Sequence, residues 1–289
     1  MSGLPMPSLR STTLATLLAL FPGAALAAVL GYGAPLAEFA PATQAALAGG
    51  VSTASPFYAH FLERYLVTGT ADGIHRLRYG AVTAEDRAAL EAWVEEEAQR
   101  GPPGLTRDEQ FAYWANLYNA LTVARVLKAY PVSSILELKR WPWSFGPWDE
   151  DLITVQGAAL SLNAIEHRIL RPLFAEPRVH FALNCASLGC PNLLPQPFTG
   201  DRLEADLQGA LKAYLAHPRG IALEGGVLTL SSLFDWYGDD FPRGREALLA
   251  YLASAAPETL GPSLRAYDGP LTFRYDWALN DAPPPSPLP

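Results

Sequence analysis

The stretch from Arg107 to Ala129 constrains this chain more than any other. Phe111, Trp114, Tyr118 and Leu121 recur at three- and four-residue spacing and form one apolar face, the period of an α-helix. Thr106-Arg107-Asp108-Glu109 reads as a capping box: the Thr hydroxyl can accept from the third helical amide while Glu109 reaches back to the cap. Pro131 ends the helix, because proline lacks the amide proton that another turn would need.

Other helices follow from the same rules. One runs through Phe61, Leu62 and Tyr65, and a second from Ala84 to Ala98, introduced by Thr83 with Asp86 three residues on. A short one, Ala164 to Leu170, is stopped by Pro172, and two more cover Leu203 to Leu215 and Arg245 to Ser254. Leu152–Gln156, Val179–Leu183, Ile221–Glu224 and Val227–Leu230 are the strand candidates, with Gly225-Gly226 as a hairpin turn. Helices first, then strands among helices, give the expected fold class: α+β, a single domain with helices packed on a small mixed or antiparallel sheet.

The termini are of a different kind. Arg10, the apolar run Leu14–Phe21 and Ala25-Leu26-Ala27 have the order of a signal peptide, so residues 1–27 are expected to be removed and the protein to be periplasmic or secreted. The apolar run is too short to span a bilayer, and no membrane span is expected in the mature chain. Residues 28–55 read as a connecting segment, 56–280 as the domain, and 281–289 as a disordered proline-rich tail. The net charge is −8, which argues against nucleic acid as partner and offers no polybasic patch for anionic lipid. Two cysteines cannot build a disulfide scaffold, so the fold must stand on its core.

Both cysteines fall in Val179-His180-Phe181-Ala182-Leu183-Asn184-Cys185-Ala186-Ser187-Leu188-Gly189-Cys190-Pro191, where an apolar run gives way to a loop. Such junctions gather reactive groups, because the element fixes geometry and the loop leaves room for substrate. Four states are open to Cys185 and Cys190. They are a disulfide, a catalytic thiolate at Cys185 activated by an imidazole, two inert thiols, or a metal site with His180, whose spacing fits no common zinc pattern. A bridge heads that order. Side-chain alternation along a strand sets His180 and Cys185 on opposite faces, an obstacle that His167 does not share. Asn116 and Asn119 lie three apart on one helical face and need partners if buried; together with Asn184 they are expected to meet the His180–Cys190 segment or a substrate. Trp141, Trp143 and Trp148 punctuate a proline-rich loop fit to cover a cleft or stack on a sugar, with Trp143 as the candidate contact.

Several of these segments resemble the DUF547 domain proteins of bacteria, plants and animals. The resemblance rests on Trp114-Ala115-Asn116-Leu117-Tyr118-Asn119-Ala120, on Leu160-Ser161-Leu162 with Ile165-Glu166-His167, and on Ile169-Leu170-Arg171. It continues through Arg178–Pro191, Phe234-Asp235-Trp236-Tyr237 with Asp240-Phe241, and Tyr275-Asp276-Trp277 with Leu279-Asn280. That family carries no firmly assigned activity. Its plant members look like adaptors with an added coiled coil, and this chain has no heptad segment.

Two functions are therefore expected to compete. The sharper is a thiol-dependent amide hydrolase or acyl transferase: Cys185 as nucleophile, His167 or His180 as base, Asn116 as orienter or oxyanion donor, Asn119, Asn184 and Trp143 on substrate, and no metal or cofactor. The other is a non-catalytic binding or scaffolding domain with a Cys185–Cys190 bridge. For either, a cell-envelope peptide or glycan is the partner class suited to the compartment.

Overall fold

The computed structural model describes residues 56–139, 144 and 146–282, which lie in one compact unit. The expected signal peptide, the connecting segment 28–55, Trp141, Trp143 and residues 283–289 lie outside the described residues. The described part is a single α+β domain, helices packed around small antiparallel and mixed sheets.

Helix α1 (Phe57–Tyr65) buries Tyr58, Phe61, Leu62 and Tyr65, one stripe at helical spacing. Strands β1 (Leu66–Val67) and β2 (Arg76–Leu77) pair antiparallel behind it. Helix α2 (Ala84–Arg100) starts where the Thr83 hydroxyl accepts from the Asp86 amide at 3.1 Å. Helix α3 (Arg107–Ala129) carries the expected capping box, with the Thr106 amide donating to Glu109 at 2.7 Å. Buried residues cover most of its circumference, so α3 is the spine on which the other elements pack.

Strands β3 (Ile153–Val155) and β4 (Ala158–Leu160) form a hairpin. It leads into a π-helical segment, Ala164–Leu170, which runs on without a break into helix α4 (Arg171–Phe174). Pro172 does not stop this helix. It falls where the π-helical winding of Ala164–Leu170 gives way to the α-helical turn Arg171–Phe174.

The expected strand Val179–Leu183 is instead one helical turn, α5 (Val179–Ala182), and extended backbone begins only at Leu183. An apolar run of five residues fits a buried turn as well as a strand, and here it lies between two cores. Val179 and Ala182 belong to the larger, built on α1 to α3, whereas Phe181 packs in the second against Tyr214, Phe234 and Phe241. This turn is the seam between them.

Helix α6 (Leu203–Leu215), strands β5 (Ile221–Glu224) and β6 (Val227–Ser231), and helices α7 (Leu233–Trp236), α8 (Arg245–Ala255) and α9 (Gly261–Arg265) enclose the second core, with strand β7 (Leu271–Arg274) last. β5 and β6 pair antiparallel through Gly225-Gly226, whose φ of 57° and 77° suit a two-residue turn with both central residues left-handed. β7 joins β6 in parallel, which the crossover through α7–α9 makes feasible. At the end of the described residues the Ala282 amide donates to the Leu77 carbonyl at 2.9 Å.

Candidate functional site

Cys185 and Cys190 are joined in a disulfide, their Cα atoms 6.1 Å apart. This overturns the thiol nucleophile, since a bridged sulfur has no thiolate to offer. The Tyr275 hydroxyl lies 3.1 Å from one sulfur and 3.2 Å from the other. Burial holds the Tyr275 phenol well above its ordinary range, so it stays protonated and donates.

The bridged loop is held along its length. Leu188 and Gly189 donate to the carbonyls of Ala278 and Asp276, both at 2.8 Å, and Asn280 donates back to the Ala186 carbonyl at 2.9 Å. Gly189 lies so close to Asp276 that a Cβ there would come within 2.8 Å of its backbone nitrogen. Ala186 takes φ 60°, a left-handed position that such a turn imposes.

Asn119 and Asn184 brace this loop from inside. Asn119 donates to the Ala182 carbonyl at 3.0 Å and accepts from the Asn184 amide at 2.8 Å. Asn184 donates to the Pro191 carbonyl at 2.7 Å and accepts from the Ala186 amide at 2.9 Å. Both are buried, and their amides are taken up by backbone, so each braces the loop from within. Asn116 lies elsewhere: its side chain closes on the Phe198 backbone, donating to the carbonyl and accepting from the amide, each at 2.9 Å. Among the described residues it makes no hydrogen bond to either histidine or to the bridged loop.

The two histidines do come together, in a network apart from the sulfurs. Asp240 accepts from His180 Nε2 at 2.7 Å and from Arg171 Nε and Nη2 at 2.5 and 2.9 Å. Arg171 also donates to His167 Nδ1 at 2.8 Å, which places the His167 proton on Nε2. The rings of His180 and Tyr237 stack 3.9 Å apart, and the Arg171 guanidinium lies 5.1 Å above the Tyr237 ring. Glu166 is buried with its carboxylate 3.7 Å from His180 Nδ1. The π-helical segment explains part of this meeting, because its wider turn lets Glu166 and His167 both reach the seam while Arg171 follows four residues on.

The electrostatics match these contacts. Burial alone would raise the Asp240 carboxyl, but hydrogen bonds from His180 and Arg171 outweigh it and hold the group below the usual carboxylate range. Burial, reinforced by the nearby Arg171 and His180, lowers His167 to about 4, and the attraction of Glu166 and Asp240 does not recover it. His180 itself is only 3% exposed, sealed by Asp240, Tyr237 and Phe241.

Beside the bridge lies an aromatic platform drawn from three separate segments. Trp236 ends α7, Tyr275 and Trp277 follow β7, and Trp148 comes from the proline-rich loop. Trp277 stacks on Trp236 at 5.5 Å and meets Trp148 edge-on at 5.7 Å, while Tyr275 lies 4.8 Å from Trp236. All four are half-buried. Gly146, at φ 79°, underlies Trp148 so tightly that any Cβ would strike the indole ring.

The residues alone assign no role to Arg171, Asp240 and Tyr237, or to Trp236, Tyr275 and Trp277. A partial signal exists: His167 and Arg171 stand four apart on a helix, and Phe234–Tyr237 and Tyr275–Trp277 each set an acid among aromatics. Among the described residues, no group of three or more His, Cys, Asp or Glu is arranged to hold a metal ion, and no helix is long and apolar enough to cross a membrane.

One family model, described as a protein of unknown function, DUF547, matches residues 102–215. That span contains α3, both histidines, Glu166, Arg171 and the bridged loop, and it ends before Asp240 and most of the aromatic platform. No curated protein and no solved structure matches the chain.

Proposed function

We propose that this protein is a non-catalytic binding domain that works outside the cytoplasm and takes a cell-envelope glycan on the platform of Trp148, Trp236, Tyr275 and Trp277. The Cys185–Cys190 bridge carries the reading. It removes the one nucleophile that the sequence offered beside an imidazole, and disulfides persist in oxidising compartments. The buried His180–Asp240–Arg171 network then acts as internal bracing at the seam between the two cores. Half-buried indole faces suit the apolar faces of sugar rings, with the bridged loop fixing Tyr275 from below.

Co-sedimentation of the protein with purified cell-wall glycan tests this. Trp236→Ala and Trp277→Ala are expected to weaken retention by roughly tenfold, about 1.4 kcal/mol. A Cys185→Ala/Cys190→Ala double variant that still folds should be retained almost as well as the parent. Equal retention of all variants, or none of the parent, would contradict the proposal.

A further inference from the structure

Strand β7 is an edge: the sheet runs β5-β6-β7, and among the described residues no strand lies beyond it. Its ladder to β6 is parallel, so only alternate residues turn their backbone toward β6. The Leu228 amide donates to the Pro270 carbonyl and the Ser232 amide to the Arg274 carbonyl, each at 3.0 Å. Residues 270, 272 and 274 therefore serve that ladder. The N–H and C=O groups of Leu271 and Phe273 face outward, and among the described residues none of the four makes a hydrogen bond. Proteins usually guard such an edge with lysine, a bulge or a covering segment, and Leu-Thr-Phe is none of these.

The side chains show the same incompleteness. Register sets Ile221, Leu230 and Phe273 in one row on the face that covers the second core. Their exposures are 4%, 1% and 40%, so the apolar face runs out at β7 with Phe273 uncovered. Thr272 and Arg274 lie on the opposite face, where the hydroxyls of Thr272 and Thr229 meet at 3.0 Å. The exposed Arg274 reaches only the Pro218 carbonyl, at 3.4 Å, and among the described residues no carboxylate pairs with it. Asp268, exposed six residues earlier, likewise makes no ion pair or hydrogen bond among them. Nearby Arg245 is committed to the Gly269 carbonyl and the Tyr267 ring.

A row of alternating donors and acceptors is answered by another extended backbone, and here the edge answers itself. Turned antiparallel about a two-fold axis through Thr272, Leu271 of each copy opposes Phe273 of the other. This register pairs all four outward groups of each copy, and the two Leu–Phe contacts cover the uncovered row. Arg274 then stands opposite Pro270 of the other copy, one diagonal step along the strand from its Asp268. Each unpaired cation meets an unpaired acid.

We propose that β7 is a self-association edge, through which two copies join their three-stranded sheets into one continuous sheet. Sedimentation velocity from about 1 to 300 µM tests it, the mass being expected to climb from monomer toward dimer because so short an interface binds weakly. Arg274→Asp and Asp268→Arg should each weaken association about fivefold or more, and the two together should restore it. Phe273→Lys should weaken it about tenfold or more, as a charge on an open edge does. Position 272 lies on the two-fold axis, where facing Cα atoms come within disulfide range. Thr272→Cys is thus expected to cross-link two copies under mild oxidation, and Ser263→Cys, exposed on α9, is not. The native cysteines are already bridged and do not compete. If Phe273→Lys fails to fold, the charge exchange and the cross-link decide. A monomer at every concentration, no recovery in the doubly exchanged variant, or equal cross-linking at 272 and 263 would each overturn the proposal.

Discussion

His167 accepts a hydrogen bond from a guanidinium that never deprotonates, and this fixes its behaviour with pH. Its folded pKa of about 4 lies below the usual imidazole value, so between those two limits the unfolded chain binds a proton that the folded chain refuses. Stability is therefore whole above roughly pH 6.5 and falls as pH drops toward 4, by at most about 1.4 kcal/mol per unit for this one group. His167→Gln, whose carbonyl can still accept from Arg171, should flatten the decline of melting temperature across that window. An unchanged slope would mean that other groups set it. Asp240 acts further down: its depressed carboxyl contributes stability above the unfolded carboxylate range that is lost as acid protonates it. Asp240→Asn leaves the Arg171 charge partly buried without its partner and should cost roughly 2–3 kcal/mol in chemical denaturation at neutral pH. A loss within experimental error would remove the network from the stability of the seam.

Among the elements, the loop from Asn184 to Cys190 shows how local choices combine. The disulfide closes a small ring, worth only about 2 kcal/mol of denatured-state entropy. Backbone bonds to the segment 276–280 and the amides of Asn119 and Asn184 hold the same loop independently. The double variant Cys185→Ala/Cys190→Ala is thus expected to fold and to melt roughly 4–8 °C lower. Asn119→Ala strips a buried carbonyl and a buried amide of their partners, and should cost as much as or more than the bridge, roughly 2–4 kcal/mol. Thermal melts followed by near-ultraviolet circular dichroism give that order directly.

Elements with strong local signals are legible in the amino-acid sequence. The capping box of α3 and the Gly225-Gly226 hairpin match residue by residue, because both depend on contacts within a few positions. Val179–Leu183 has the pattern of a strand yet folds as a helical turn, because its burial comes from two cores, one on each side. Periodicity cannot distinguish a short run buried all round from a strand. The two-residue and three-residue strands β1 to β4 give too little pattern to tell a strand from a loop, although β3 falls within an expected run. Of the candidate site, the pairing of the cysteines and the place of Asn119 at the loop are legible. Asp240 is not, because it lies 60 residues from His180 and only tertiary packing unites them.

Across the whole molecule, Phe181 ties the second core to a turn whose neighbours sit in the first. Removing it should loosen both. Phe181→Ala is expected to cost roughly 3–5 kcal/mol, and parent and variant should each unfold in one transition seen identically by tryptophan fluorescence and far-ultraviolet circular dichroism. Two separated transitions in the parent would show that the cores fold independently and that the seam couples nothing.

The central claim, a binding domain whose cysteine loop is locked and without a nucleophile, meets its most direct test in the redox state of the native protein. Iodoacetamide labelling of protein taken from its own compartment, without reductant, followed by peptide mass spectrometry, reads it. The account predicts no labelled cysteine and a peptide pair cross-linked through Cys185 and Cys190. Free thiols, with Cys185 alkylated much faster than Cys190 at mildly acidic pH and slowed by replacing His167 or His180, would contradict it.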